Sequence, residues 1–210
     1  VACGKLCVVK EGPYAGARAR PEFETISMFG PNCGISDFAA IVKANQLCDE
    51  LGVDTISAGN LIGVLMESLE TGLLSEKDLD GLQLKWGNEE AIIDTLHRIA
   101  QRKGIGNILA EGSPGVIKQW PQLRPIISQV KGLEQSAYDA RIAISMALGY
   151  ATSDIGAHHT RAWTIAKELE MGMDWPLEKK ADLVIYHQTL RPLFDMLGVC
   201  RLPWIELGFD

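Results

Sequence analysis

With 210 residues, 47% of them hydrophobic, the chain can bury one large core or two modest ones. A net charge of −7, with no basic run beyond Glu178-Lys179-Lys180, excludes the clustered Lys and Arg that nucleic acid or an anionic membrane surface requires. No apolar run reaches the ~20 residues of a membrane span and no signal peptide is visible, so a soluble, cytoplasmic protein is expected.

Residues 1–35 lack helical periodicity and carry Gly12-Pro13, Pro21, Gly30-Pro31 and Gly34, which predicts irregular structure. From Ser36, read as an N-cap, Phe38, Ile41, Val42, Asn45, Leu47 and Leu51 form an amphipathic stripe that Gly52 closes. A second helix is expected from Ser57 to Glu70, and a third from the cap Asn88, stopped by Gly104. Residues 105–135 read as a connector holding three prolines. A fourth helix follows over Asp139–Tyr150, then a short polar segment and a helix over Arg161–Met171. Pro176 opens a last helix through Leu197, which Pro192 must kink or split. Strand alternation is nearly absent, so the fold class is all-α.

One short pattern occurs twice. Cys48-Asp49-Glu50-Leu51-Gly52-Val53-Asp54 returns as Phe194-Asp195-Met196-Leu197-Gly198-Val199-Cys200. Each aspartate falls in the last turn of a helix, with glycine at the left-handed cap. An acid there opposes the helix dipole, costing a few tenths to about 1 kcal/mol, so its repetition suggests a purpose other than stability. A carboxylate accepts two parallel hydrogen bonds from a planar, guanidine-like edge, such as the aminopyrimidinone ring of a pterin. The cysteines point to metal. They number five, an odd count, and Cys3 and Cys7 are four apart, which favours cluster ligation over a disulfide framework. Cys33 and Cys48 read as structural.

Several motifs in order carry a resemblance over essentially the whole chain: the Cys3 and Cys7 pair, Pro21-Glu22-Phe23-Glu24-Thr25, Leu51-Gly52-Val53-Asp54-Thr55-Ile56-Ser57, Gly104-Ile105-Gly106, Leu109-Ala110-Glu111-Gly112, Lys131-Gly132-Leu133-Glu134, Tyr150-Ala151-Thr152-Ser153 and Gly198-Val199-Cys200. The sequence resembles the two C-terminal helical domains of the aldehyde ferredoxin oxidoreductase family, tungsten enzymes with a bis-pterin cofactor of the molybdopterin type and a 4Fe-4S cluster. The resemblance implies a helical domain over 1–130, with a cluster-ligating loop and the first pterin motif, and a second over 131–210 with the other pterin motif. It implies an oxidoreductase of anaerobic metabolism that oxidises a small aldehyde to a carboxylic acid and passes electrons to ferredoxin. A β-rich N-terminal domain of the same protein, absent here, would complete the pterin site.

Carried over residue by residue, Asp49, Gly52, Val53 and Asp54 would serve one pterin, and Asp195, Gly198 and Val199 the other. Valine stands at both positions where the family usually has leucine. Cys3, Cys7 and Cys200 would ligate the cluster, which needs four thiolates; the family's further cysteine would fall upstream of Val1, so the chain is expected to be a fragment. Tungsten is expected to be held by pterin sulfurs rather than by a side chain. Glu24 resembles the family's active-site base, and His159, preferred to His158, the imidazole that hydrogen-bonds the substrate or oxo group. Where some members place a glutamate that ligates a metal between subunits, this chain has Lys43, so no such bridging metal is expected and homodimerisation stays open. Two alternatives stand beside this reading: a related tungsten enzyme acting on another oxo substrate or as a carboxylic acid reductase, and a helical binding module that has lost its cofactor.

Overall fold

Two aspartates start the long helices of the first half. Asp37 accepts a hydrogen bond from the Ala39 amide at 2.8 Å and opens α2 (Phe38–Leu51); Asp54 accepts from the Ser57 amide at 2.8 Å and opens α3 (Thr55–Glu70). The cap of α2 is therefore Asp37, one residue beyond the expected Ser36. The computed structural model describes residues 5–172 and 174–200; it divides into two compact units, 3–137 and 138–210.

In the unit 3–137, Asn88 caps α4 (Glu89–Gln101) as its sequence requires, its Oδ1 accepting from the Ala91 amide at 3.2 Å. The helix ends three residues before Gly104, with Arg102 in the left-handed cap conformation. Helices α2, α3 and α4 enclose a core in which Leu47, Ile62, Leu65, Leu84 and Leu96 are buried. The connector contains two short helices, α5 (Gly106–Leu109) and α6 (Gly112–Gln119). It also holds the hairpin β3 (Gln129–Val130) and β4 (Leu133–Glu134), whose two turn residues, Lys131 and Gly132, both have positive φ. An expected boundary at 130/131 would cut this hairpin; the division falls instead after Ala137.

The first 35 residues are not wholly irregular. A second hairpin, β1 (Cys7–Val8) with β2 (Arg18–Ala19), pairs Cys7 with Ala19, and a seven-residue helix, α1 (Phe23–Phe29), follows. This helix is too short to show two turns of periodicity and is fixed by packing. Gly59 makes that packing close: a Cβ there would lie 2.6 Å from the Met28 Cβ. With Met28 seated on α3, Thr25 meets Thr55 at the start of α3, hydroxyl to hydroxyl at 2.9 Å.

The unit 138–210 contains α7 (Ile144–Thr152), α8 (Ile165–Met171), α9 (Leu177–Leu190) and α10 (Pro192–Leu197). The expected final helix is split between α9 and α10, because Pro192 lacks the amide that would continue the ladder. Helix α7 begins five residues later than expected and packs on α9. Its first turn is fixed by a buried carboxylate: Glu168 accepts from the Ile144 amide at 3.1 Å and the Ser145 amide at 2.9 Å, and from the Ser145 hydroxyl. Lys180 from α9 reaches the same carboxylate at 2.7 Å. The described residues are thus mainly helical, with two short hairpins, and no described helix is long and apolar enough to cross a membrane.

Candidate active site

The repeated motif forms the same closure twice. Gly52 (φ 70°) and Gly198 (φ 65°) both adopt the left-handed cap, and the amide after each turns back five residues: Val53 N–H donates to the Cys48 carbonyl at 2.9 Å, Val199 N–H to the Phe194 carbonyl at 3.1 Å. These are Schellman closures. They leave Asp49 and Asp195 as exposed carboxylates on the last turns of α2 and α10.

The two carboxylates are held differently. Asp49 Oδ2 accepts from Asn45 Nδ2 at 3.0 Å, a neutral amide one helical turn earlier. Asp195 Oδ2 accepts from Arg161 at 2.7 Å, and the same guanidinium reaches Asp154 Oδ1 at 2.9 Å. Arg161 belongs to the single 3-10 turn that carries His159, so within this unit the structure ties the expected imidazole segment to the expected second pterin motif. Asp54 has an evident local role as the cap of α3. Gly52, Val53 and Asp54 together form the junction from α2 to α3.

Glu24 projects from α1 and is 8% exposed. Its Oε2 accepts from the Ala137 amide at 2.7 Å. Burial pushes its carboxyl up to about 7; the Ala137 hydrogen bond opposes this, and the negative charge of Asp54 adds to it. The base expected from the sequence and Asp54, the last residue of the first motif, are thus electrostatic neighbours. A second buried carboxylate lies in the same unit: Glu134 Oε1 accepts from the Ser113 amide at 2.5 Å and Oε2 from the Ser57 hydroxyl at 2.7 Å, tying the first turns of α6 and α3 together.

His159 stacks on His158 with ring centroids 5.0 Å apart and meets Tyr138 at 5.7 Å. His158 is partly buried and makes a local contact, its Nδ1 2.5 Å from the Thr160 hydroxyl. Cys7 lies in β1, partly buried, and Cys200 is exposed just beyond α10; both are free thiols, and they belong to different units. Cys3 lies outside the described residues, among which no three His, Cys, Asp or Glu side chains are placed to hold a metal ion. Cys33 and Cys48 are buried, and desolvation raises both thiols to about 12, which suits inert core residues.

Sequence reasoning missed Asn45, Arg161 and Glu134 as site-building residues. Asn45 left a readable trace, an amide within an apolar stripe four residues before an acid. Glu134 sits in a quoted motif without a role. Arg161 left no trace, because its partner is 34 residues away.

Relatives fix the family. The model described as "Aldehyde ferredoxin oxidoreductase, domains 2 & 3" matches residues 1–210. The tungsten-containing aldehyde ferredoxin oxidoreductases of Pyrococcus furiosus and Thermococcus kodakarensis are each 36% identical to it over 100% of the chain, which spans 35% of their length. An aliphatic sulfonate oxidoreductase, WOR-like subunit, of Pyrococcus furiosus is 35% identical over 76% of the chain and 27% of its own length. The chain therefore belongs to the aldehyde ferredoxin oxidoreductase family and corresponds to its domains 2 and 3.

Proposed function

We propose that the whole protein, acting in the cytoplasm, oxidises a small aldehyde to its carboxylic acid at a tungsten bis-pterin centre and passes the electrons through a 4Fe-4S cluster to ferredoxin. The observation that carries this reading is Glu24, a buried carboxylate raised to about 7 beside the junction that follows the first capped aspartate. Adding a water-derived oxygen to an aldehyde releases protons, and a carboxylate with that proton affinity can take one near neutral pH. His159 would donate to or orient the substrate oxygen. When bound, the bis-pterin group supplies the two-electron acceptor. Asp49 and Asp195 fit such a group, because each is a carboxylate presented on a rigidly closed helix end, one of them beside a buried amide with acceptor capacity to spare. Gly52, Val53 and Asp54, with Gly198 and Val199, would shape the two contacts, and Cys3, Cys7 and Cys200 would be cluster ligands.

The relative named as an aliphatic sulfonate oxidoreductase favours a second reading, in which the same groups serve another oxo substrate. Turnover of the full-length enzyme with an aldehyde and with an alkyl sulfonate separates the two.

Metal and pterin content tests the proposal itself. Anaerobically produced full-length protein should carry tungsten and about four irons per chain. Asp49→Asn and Asp195→Asn, which swap an acceptor oxygen for a donor amide, should each lose pterin at limiting supply, since a buried pairing left unmade costs about 1 to 3 kcal/mol. Cys7→Ser and Cys200→Ser should lower iron instead. Full pterin occupancy in both aspartate variants would refute the pterin assignment, and unchanged iron in both cysteine variants would refute the cluster assignment.

A further inference from the structure

Asn45 occupies a position where an apolar residue would be expected. It lies on the core-facing side of α2 with Ile41, Ala44, Leu47 and Cys48, all buried, and is itself 5% exposed. Its Nδ2 donates to Asp49 Oδ2 at 3.0 Å, whereas its buried Oδ1 accepts no hydrogen bond among the described residues. Exchanging the amide's ends would set one oxygen against another, so the carboxylate fixes which end faces it. A buried acceptor without a donor carries a desolvation penalty that leucine would not. An amide–carboxylate pair at this helical spacing recovers only part of that. Stability therefore does not account for asparagine here.

We infer that Asn45 is a positioning residue for Asp49, holding one carboxylate oxygen so that the other is aimed at a cationic or amino-bearing edge of the ligand. This rests on the proposed reading in which Asp49 receives a pterin. The role is confined to the first helix end. At the equivalent register of the second motif stands Arg191, whose guanidinium donates to His187 Nδ1 at 2.7 Å and lies over the Trp163 ring; Asp195 is held by Arg161 instead.

The test uses full-length protein carrying Asn45→Leu, alone and combined with Asp49→Asn or Asp195→Asn. Two quantities are read: the thermal midpoint of protein produced without tungsten, and pterin retained per chain at limiting supply, measured as the fluorescence of pterin released by denaturation and oxidation. Asn45→Leu should leave the midpoint unchanged or raise it, and should weaken pterin retention about ten-fold, the scale of one hydrogen bond to a charged group. It should add nothing to the loss caused by Asp49→Asn and add fully to that caused by Asp195→Asn. Normal retention in Asn45→Leu alongside a loss in Asp49→Asn overturns the positioning role and leaves the pterin reading intact. Normal retention in both overturns the reading and the role together. A lowered midpoint with equal losses in both aspartate backgrounds marks Asn45 as structural only. Should Asn45→Leu not fold, Asn45→Ala, which deletes the amide without adding volume, is read by the same criteria.

Discussion

Glu24→Gln should reduce turnover of the metal-replete, full-length enzyme by at least about 100-fold, the lower range for a positioned general base, and should stabilise the protein at the same time. The substitution keeps volume and an acceptor for the Ala137 amide but removes the charge that burial disfavours. Folded Glu24 titrates at about 7 against an ordinary 4.5, so between those values the folded chain holds a proton that the unfolded chain releases. Stability contributed by the neutral carboxyl is complete below about 4.5 and is lost as pH rises through about 7. The glutamine variant lacks that loss, and near pH 8 it should be more stable by about 2 to 3 kcal/mol, an upper figure for such a shift. The activity of wild type should fall as pH drops below about 7, because the base is then protonated. Steady-state rates with an aldehyde and an artificial acceptor, alongside urea unfolding at pH 5 and 8, check both halves. An unchanged rate removes Glu24 from the active site. A solvated glutamate would move stability by no more than about 0.5 kcal/mol.

Lys180→Met should destabilise the protein by about 3 to 5 kcal/mol, because it leaves Glu168 as a buried charge without its cation. Both side chains of this pair are almost wholly withdrawn from water, at 2.7 Å separation. Burial alone would raise the Glu168 carboxyl; the hydrogen bonds from Lys180 and Ser145 outweigh it and hold the group below the ordinary glutamate range. Its contribution is therefore present above the ordinary glutamate value and is lost as pH falls through the folded one. Adding Glu168→Gln to Lys180→Met should restore most of the loss, since the neutral amide oxygen still accepts from the first turn of α7 and no charge remains. Urea unfolding of the single and double variants measures this. A single variant as unstable as the double would show that the pair is not coupled.

Much of the helical plan was legible because it is written in local chemistry. Asn88 as cap, Gly52 as stop and Pro192 as break each act within a few residues of themselves. Helix α1 was not legible, since its buried face is set by Gly59 of another helix rather than by its own seven residues. The site divides the same way. The twin aspartate motifs and the glycine caps could be read from order and spacing, and their backbone closures agree with that reading. What holds each carboxylate could not: Arg161 reaches Asp195 across 34 residues. Lys180 is the sharpest case: it stands in the run Glu178-Lys179-Lys180, where nothing local marks one lysine from the next, while its side chain is buried against Glu168. Adjacent lysines on a helix point in directions about 100° apart, so one faces water and the other does not.

The Schellman closure of the two aspartate motifs has a consequence for how the chain acquires its binding surface. Every backbone hydrogen bond that closes the end of α2 or α10 joins residues no more than five apart: Val53 to Cys48, Val199 to Phe194. Contacts of such short range form on the timescale of helix growth, far ahead of the packing of a whole domain. The device is thus portable. It works at the end of a fourteen-residue helix and equally at the end of a six-residue one, so a second copy needs no second copy of the surrounding fold, only a helix that stops at a glycine.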